Sequence, residues 1–367
     1  MMFLNYPDFL KNVPLDFEPA RKFESHTQNV CIVSLGKSAF FMYDRFVLEY
    51  PGLKKVPAII IVPFNSSVTK HGYNVETVFS THPEITEFSF EAFKKLNDFI
   101  FKFRPDNIVV LLSGGSSALI EKSKDKEQIQ TLNSKLLRSG LPITDINRER
   151  IKYSLIKGGK LAEMFPCIFW SVFVMSDIPY ENGELLVGSM PFFRDDLKNT
   201  ELFRVADSNT LHDEILKLIG NKNIFSLRKF NGSIRELSDI IIKNIQKGED
   251  ILVTGEPSIK IDTDDPGTGG RITHLALTVL PYLDSNCRFY ALSSDGIDGN
   301  SPFAGAVIEN PCCIPDSDKI NRAILSFNSG NFLSDIGMTV KTGYTGINLN
   351  DFVFFTYKNR RNKKTAL

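Results

Sequence analysis

Short apolar runs alternate with longer stretches of helical period along this chain. Asn29–Leu35 predicts a strand, and Ser38–Glu49 after it carries the apolar spacing of a helix. Val56–Pro63 predicts a second strand, and the amphipathic stretch Ile85–Lys102 leads into a third at Asn107–Leu112. Further strands are expected at Cys167–Met175, Asp250–Val253, Cys287–Leu292, Met338–Thr342 and Phe352–Tyr357. Helices are expected between them at Glu127–Arg138, Asn147–Phe165, Ser233–Gln246 and Ile272–Leu283. This alternation implies an α/β fold with parallel sheets and crossover helices. At 367 residues the chain is too long for one compact core. Ser189–Phe230 is the least regular stretch, so we expect two domains, 1–240 and 241–367.

Composition adds mainly exclusions. Hydrophobic content of 42% and charged content of 23% are those of an ordinary globular protein. Lys+Arg and Asp+Glu both number 43, so no net field recruits nucleic acid or an anionic membrane. The basic run Lys358–Lys364 reads as a solvated tail. Five cysteines, several in apolar surroundings such as Cys31 and Cys167, suit reduced thiols better than a disulfide framework. Adjacent Cys312 and Cys313 lack zinc-ligand spacing. With no signal segment and no span of about twenty apolar residues, a cytoplasmic location is expected. The thirty phenylalanines are scattered and read as core.

The loops carry the chemistry. Nearly every expected strand ends in Gly, Ser or Asp: Gly36-Lys37-Ser38, Ser113-Gly114-Gly115-Ser116-Ser117, Ser176-Asp177, Gly255-Glu256-Pro257 and Asp295-Gly296-Ile297-Asp298-Gly299. In a parallel sheet such ends share one edge, where ligands bind. Asp295 and Asp298 suit a divalent metal or a polyhydroxyl substrate, and equally an ordinary Asp/Gly turn. Ser113–Ser117 can cradle an oxyanion at a helix start or be a plain strand-to-helix turn. Gly269-Gly270-Arg271 offers a second cradle plus a guanidinium, and Lys37 a point charge for phosphate. Competing motifs fail. Walker A needs a glycine where Cys31 stands, and neither GxGxxG nor GxSxG is present. The five histidines lack metal-ligand spacing. Phosphate cradles, cations and acids without a base–nucleophile pair point to phosphoryl transfer.

Several motifs in order also carry a family resemblance. They are Gly36-Lys37-Ser38-Ala39, His82-Pro83, Leu112–Leu119, Ile146–Ala162 with Ile156-Lys157-Gly158-Gly159, Ser176-Asp177, Gly255-Glu256-Pro257, Gly269-Gly270-Arg271, Asp295–Gly299, Ala304-Gly305-Ala306 and Thr345–Asp351. Together they resemble the type II, or MOFRL-type, glycerate 2-kinases from about Val30 to Phe355. The resemblance implies a larger Rossmann-like N-terminal domain, a smaller C-terminal α/β domain and an active-site cleft between them. It implies ATP- and Mg²⁺-dependent phosphorylation of D-glycerate to 2-phosphoglycerate by a monomer or homodimer. In that pattern Lys37 and Arg271 are catalytic cations, and Asp177 and Asp295 orient substrate or Mg²⁺, with Asp298 beside them. Ser113, Gly114, Gly115, Ser116, Gly269, Gly270 and Asn348 bind substrate or phosphate, and Asp177 is the first candidate to take the hydroxyl proton.

The chain departs from the family pattern at Ser116, at Arg150-Ile151-Lys152, at Ser189-Met190-Pro191, at Ile272-Thr273, at Ser293-Ser294 and at Gly343-Tyr344. Cations for the phosphoryl group stay while acceptor-shaping residues change. That leaves open another small hydroxy acid, or a non-catalytic nucleotide- or sugar-acid-binding member. A hydroxypyruvate reductase is disfavoured by the missing dinucleotide fingerprint.

Overall fold

A computed structural model describes residues 6–25, 29–66, 71–72, 74–220, 224–311 and 314–358. His26, Cys312, Cys313 and the basic tail beyond Lys358 lie outside the described residues. The elements run α1 (Tyr6–Lys11), β1 (Val30–Leu35), α2 (Ala39–Glu49), β2 (Ala58–Pro63), β3 (Val75–Ser80), α3 (Glu87–Phe103), β4 (Asn107–Ser113) and α4 (Ser116–Leu119). Then follow α5 (Lys126–Leu137), α6 (Ile143–Tyr153), α7 (Lys160–Glu163), β5 (Phe169–Met175), β6 (Thr200–Ala206), α8 (Ser208–Ile219), β7 (Phe225–Phe230) and α9 (Ile234–Gln246). The last are β8 (Ile251–Gly255), α10 (Arg271–Val279), β9 (Cys287–Ser293), β10 (Gly305–Glu309), α11 (Ser317–Leu325), α12 (Ser329–Asp335), β11 (Thr339–Val340) and β12 (Asp351–Tyr357).

Two compact units result. The first comprises Pro14–Asp207 with Gly346–Asn348, and the second Met1–Val13, Ser208–Thr345 and Leu349–Leu367. The division therefore falls at Asp207/Ser208 rather than near residue 240. β7 pairs with β8, and α8 and α9 pack on the second sheet, which draws 208–240 into the later unit.

The first unit is built on a six-stranded sheet of order β3-β2-β1-β4-β5-β6 with every pairing parallel. Its central strands β1, β2 and β4 are covered on both faces, which is why they read as unbroken apolar runs. Trp170, Phe192 and Leu112 belong to its core. The strand order reverses between β1 and β4, the place where open α/β sheets leave a crevice beyond their carboxyl ends. One expected helix is broken. Asn147–Phe165 becomes α6 and α7, separated by Gly158 and Gly159 at φ +67° and +78°.

In the second unit the sheet order is β11-β10-β9-β12-β8-β7, and it is mixed rather than parallel. Only β7 and β8 pair in parallel, while β12 lies antiparallel to both β8 and β9. The expectation of parallel sheets fails here because β9 returns into β10 through a short loop, a link that needs no crossover helix. Its core is a separate cluster that includes Ile241, Leu275, Phe289 and Phe355. Cys31 and Cys287 are buried free thiols, and Cys167 is exposed, against its apolar reading. No helix among the described residues is long and apolar enough to cross a membrane.

His212 on α8 is fully buried beneath this second sheet, within 2.9 Å of Thr254 Oγ1 and 2.7 Å of Ser226 Oγ. Burial, with Arg228 nearby, pushes its pKa down to about 4. The folded pKa lies below the unfolded one, so the unfolded chain takes up the proton first. Stability falls as pH drops from the unfolded value near 6.5 towards 4. Replacing His212 with Gln should remove up to about 3 kcal/mol of that acid-side loss. Urea unfolding of both proteins at pH 7 and pH 4.5 checks it, and parallel pH profiles would contradict it.

Candidate functional site

In the first unit the strand-end turns interlock because glycine leaves room for them. Gly36, at φ +129°, places its Cα against Ser113, and any Cβ there would collide with the Ser113 backbone carbonyl. Across the same seam Lys37 N donates to Gly114 O at 2.9 Å and Ser38 N to Ser113 Oγ at 3.0 Å. Ser113 thus spends its hydroxyl bracing the turn after β1, a structural job where the sequence suggested a substrate ligand. Ser116 is also buried, with Gly188 packed on its hydroxyl, and its Oγ has no hydrogen-bond partner in the protein.

Gly114 and Gly115 let three polar side chains approach this turn. A Cβ on Gly114 would sit inside the Asp177 carboxylate, so that carboxylate lies directly against the turn. A Cβ on Gly115, at φ +82°, would come within 3.0 Å of both Lys37 Cγ and His82 Cδ2. Asn348 Nδ2 donates to Asp177 Oδ2 at 3.3 Å. Lys37, Ser113, Gly114, Gly115, Ser116, Asp177 and Asn348 are therefore gathered at the carboxyl ends of β1, β4 and β5. His82 joins them. Burial, then the charges of Lys37 and Arg150, push its pKa down to about 3, so it is neutral near pH 7 and acts only through hydrogen bonding or packing.

Behind this turn lies a buried polar frame. Arg150 reaches Ser117 Oγ at 3.3 Å and Asn133 Oδ1 at 2.9 Å, and Asn133 Nδ2 in turn donates to Pro83 O at 3.2 Å. Lys157 pairs with Glu121 in full burial, and Ser154 Oγ donates to the same carboxylate at 2.5 Å. Such a pair holds geometry more surely than it adds stability.

The second unit gathers Gly269, Gly270, Arg271, Asp295 and Asp298. Arg271 begins α10, and its Nε donates to Asp351 Oδ2 at 2.5 Å while Nη1 lies 3.0 Å from Glu256 Oε1. Because β12 is antiparallel, Asp351 at its start stands opposite Gly255 and Ser293 at the ends of β8 and β9. Burial works against the guanidinium's charge, but Asp351 and Glu256 outweigh it and raise the pKa, so Arg271 is a fixed cation. Asp295 uses Oδ1 to accept from Ser293 Oγ at 2.9 Å and from Ile297 N at 3.0 Å, which makes the turn after β9 rigid.

Here the backbone corrects the expectation of a phosphate nest. Gly269 N donates to Asn300 Oδ1 and Gly270 N to Thr273 Oγ1. Ile272 N and Thr273 N donate to Asp298 Oδ1 and Oδ2 at 3.0 and 2.7 Å. These four donors at the start of α10 are taken by protein groups. A Cβ on Gly270 would strike the Asp298 carboxylate. Asp298 is buried and caps the helix that begins at Arg271 with both oxygens.

Glu256, Asp351, His82 and Tyr6 were not singled out as site residues. The first three stand inside the quoted motifs, so motif position was an available signal. Tyr6 had none. It lies in α1, and its hydroxyl donates to Ser293 O at 3.1 Å; burial raises its pKa, helped by Asp351 and Asp295.

A family model described as a domain of unknown function (DUF4147) matches residues 9–220, and the MOFRL family model matches residues 250–351. A glycerate 2-kinase of Sulfurisphaera tokodaii is 32% identical, over 87% of this chain and 88% of its own length. The chain belongs to the MOFRL-type glycerate 2-kinase family. A second glycerate 2-kinase, from Picrophilus torridus, is 28% identical over 92% of this chain and 90% of its own. In three dimensions this family member matches the crystal structure of a Thermotoga maritima glycerate kinase. The TM-score is 0.79 at 22% identity, covering 96% of this chain and 98% of that one, and the likeness extends to the fold alone.

Replacing Asp298 with Asn turns one acceptor oxygen into a donor facing a backbone N–H. The cost should be about 1–3 kcal/mol of folding stability. Denaturant unfolding measures it, with Asp295→Asn as a control expected to cost less. Equal costs would remove the capping role.

Proposed function

We propose that this protein is a glycerate 2-kinase that moves the γ-phosphoryl group of ATP to the 2-hydroxyl of D-glycerate, giving 2-phosphoglycerate and ADP. The observation that carries the reading is the packing of Lys37 and Asp177 on the Gly114–Gly115 turn. It is supported by the family membership and by the relatives named for this reaction. Phosphoryl transfer needs positioned charge more than covalent help from the protein. Lys37 in the first unit and Arg271 in the second are each assigned to phosphate charge. Arg271 has two of its five donors held by Asp351 and Glu256, which fixes the plane of the rest.

The new bond joins the 2-oxygen of glycerate to the γ-phosphorus as the bond from phosphorus to the bridging oxygen breaks and ADP leaves. Asp177 is the acceptor assigned to the hydroxyl proton, and Asn348 holds its Oδ2 in place. The backbone of the Gly114–Ser116 turn is the cradle assigned to an anionic group of the substrate. Mg²⁺ typically takes one or two carboxylates and fills its shell with water and phosphate oxygens. Asp295 fits that modest demand, since its turn uses only Oδ1. Among the described residues no group of three or more His, Cys, Asp or Glu side chains is placed to hold a metal ion. The ion would neutralise charge on the triphosphate.

Incubation with Mg-ATP and a panel of small hydroxy acids should release ADP with D-glycerate. An assay that consumes only 2-phosphoglycerate should then detect the product. Lys37→Ala and Arg271→Ala should each lower kcat by about 10²–10³-fold. Absence of acceptor-stimulated turnover, or turnover indifferent to both substitutions, would overturn the reading. A 3-phosphoglycerate product would overturn the regiochemistry.

A further inference from the structure

The second unit contains a cavity of about 300 Å³ beside Arg271 to which no role has been assigned. Its walls are Ile259, Ile261, Pro266, His274 and Phe327, closed by the Gly267–Gly270 loop and by Asn300 and Ser329. His274 and Phe327 stack on each other with ring centroids 5.6 Å apart and planes inclined by 24°. Burial lowers the pKa of His274, so this wall carries no charge near neutral pH. Ile261 is 51% exposed at the rim, an apolar side chain left in water beside an apolar hollow.

Two of the polar side chains around the cavity are engaged within the protein, while the buried Nδ1 of His274 has no hydrogen-bond partner there. Asn300 accepts from Gly269 N and donates to Gly267 O at 3.1 Å, and Ser329 Oγ is 2.9 Å from Thr273 Oγ1. A ligand here would be held by flat and aliphatic surface, with one cation at its side. Size, apolar walls and an arginine among the lining residues suit a heteroaromatic ring joined to an anionic chain. A free fatty chain would not need the guanidinium, and a bare phosphate would not need the apolar walls.

We propose that this cavity is the nucleobase subsite, receiving the purine ring of the nucleotide donor while Arg271 meets its phosphates. The assignment rests on the kinase reading above but concerns binding in the second unit alone.

Isothermal titration of the full-length protein with Mg-ADP and with Mg-tripolyphosphate, which has the charge but no base, tests it. In the unsubstituted protein ADP should bind at least about tenfold more tightly than tripolyphosphate. Ile259→Trp, which fills the cavity, and Phe327→Ala, which removes a wall, should each weaken ADP about tenfold and leave tripolyphosphate unchanged. Two variants of opposite sense guard against one that fails to fold, and each melting curve reports folding directly. Unchanged ADP affinity in both folded variants overturns the subsite, as does equal weakening of ADP and tripolyphosphate. So does a change of oligomeric state with ADP affinity unaltered. If D-glycerate is phosphorylated from ATP while the variants bind ADP normally, only the subsite falls. If the protein neither binds ADP nor turns over, both readings fall together.

Discussion

Carboxylates in this protein reach backbone where glycine has no side chain to keep them away. Asp177 lies against Gly114 and Asp298 against Gly270, each too close for a Cβ. Much of the local architecture follows from those approaches. In the first unit the glycine at 114 lets the turns after β4 and β5 come together, and Gly36 does the same for the turn after β1. In the second unit the approach at Gly270 lets Asp298 cap α10 from a distant loop, and the capped helix starts at Arg271. A methyl group at either position would push a carboxylate out of the place its neighbours depend on.

Charge is handled differently in the two units. Lys37 stands near His82, which burial and nearby cations keep neutral. Arg271 instead sits between two carboxylates that hold its charge and fix its plane. A flexible point charge suits a group that moves during transfer, and a fixed fork suits one that must be oriented beforehand. The buried Glu121–Lys157 pair touches neither set. It is framework, and its burial makes it expensive to disturb.

The apolar strands were readable because a strand covered on both faces must be apolar throughout. This accounts for β1, β2, β4 and β5. β6 and β7 escaped notice because they are edge strands with mixed composition, Thr-Glu-Leu-Phe-Arg-Val-Ala and Phe-Ser-Leu-Arg-Lys-Phe, only half buried. Missing them moved the expected domain division from Asp207/Ser208 to residue 240. Residue type and motif single out Lys37, Asp177 and Arg271 as candidates. Residue type does not reveal that the Ser113 hydroxyl and the Asp298 carboxylate accept backbone N–H groups within the fold. Tyr6 could not be found, since nothing in Tyr-Pro-Asp-Phe-Leu-Lys indicates the strand end it reaches.

Local order along the chain was enough to establish an α/β protein with two sheets, its principal strands and the loops that bear its reactive side chains. Those properties depend on residue period and on which residues tolerate tight turns, and both are written over short stretches. The direction of β12, the capping by Asp298 and the partners of Arg271 came only from packing. Asp298 and Ile272 are joined across 26 positions, and Arg271 and Asp351 across 80. No local pattern records such pairings, because they form only when distant segments are buried together and their polar groups must find partners.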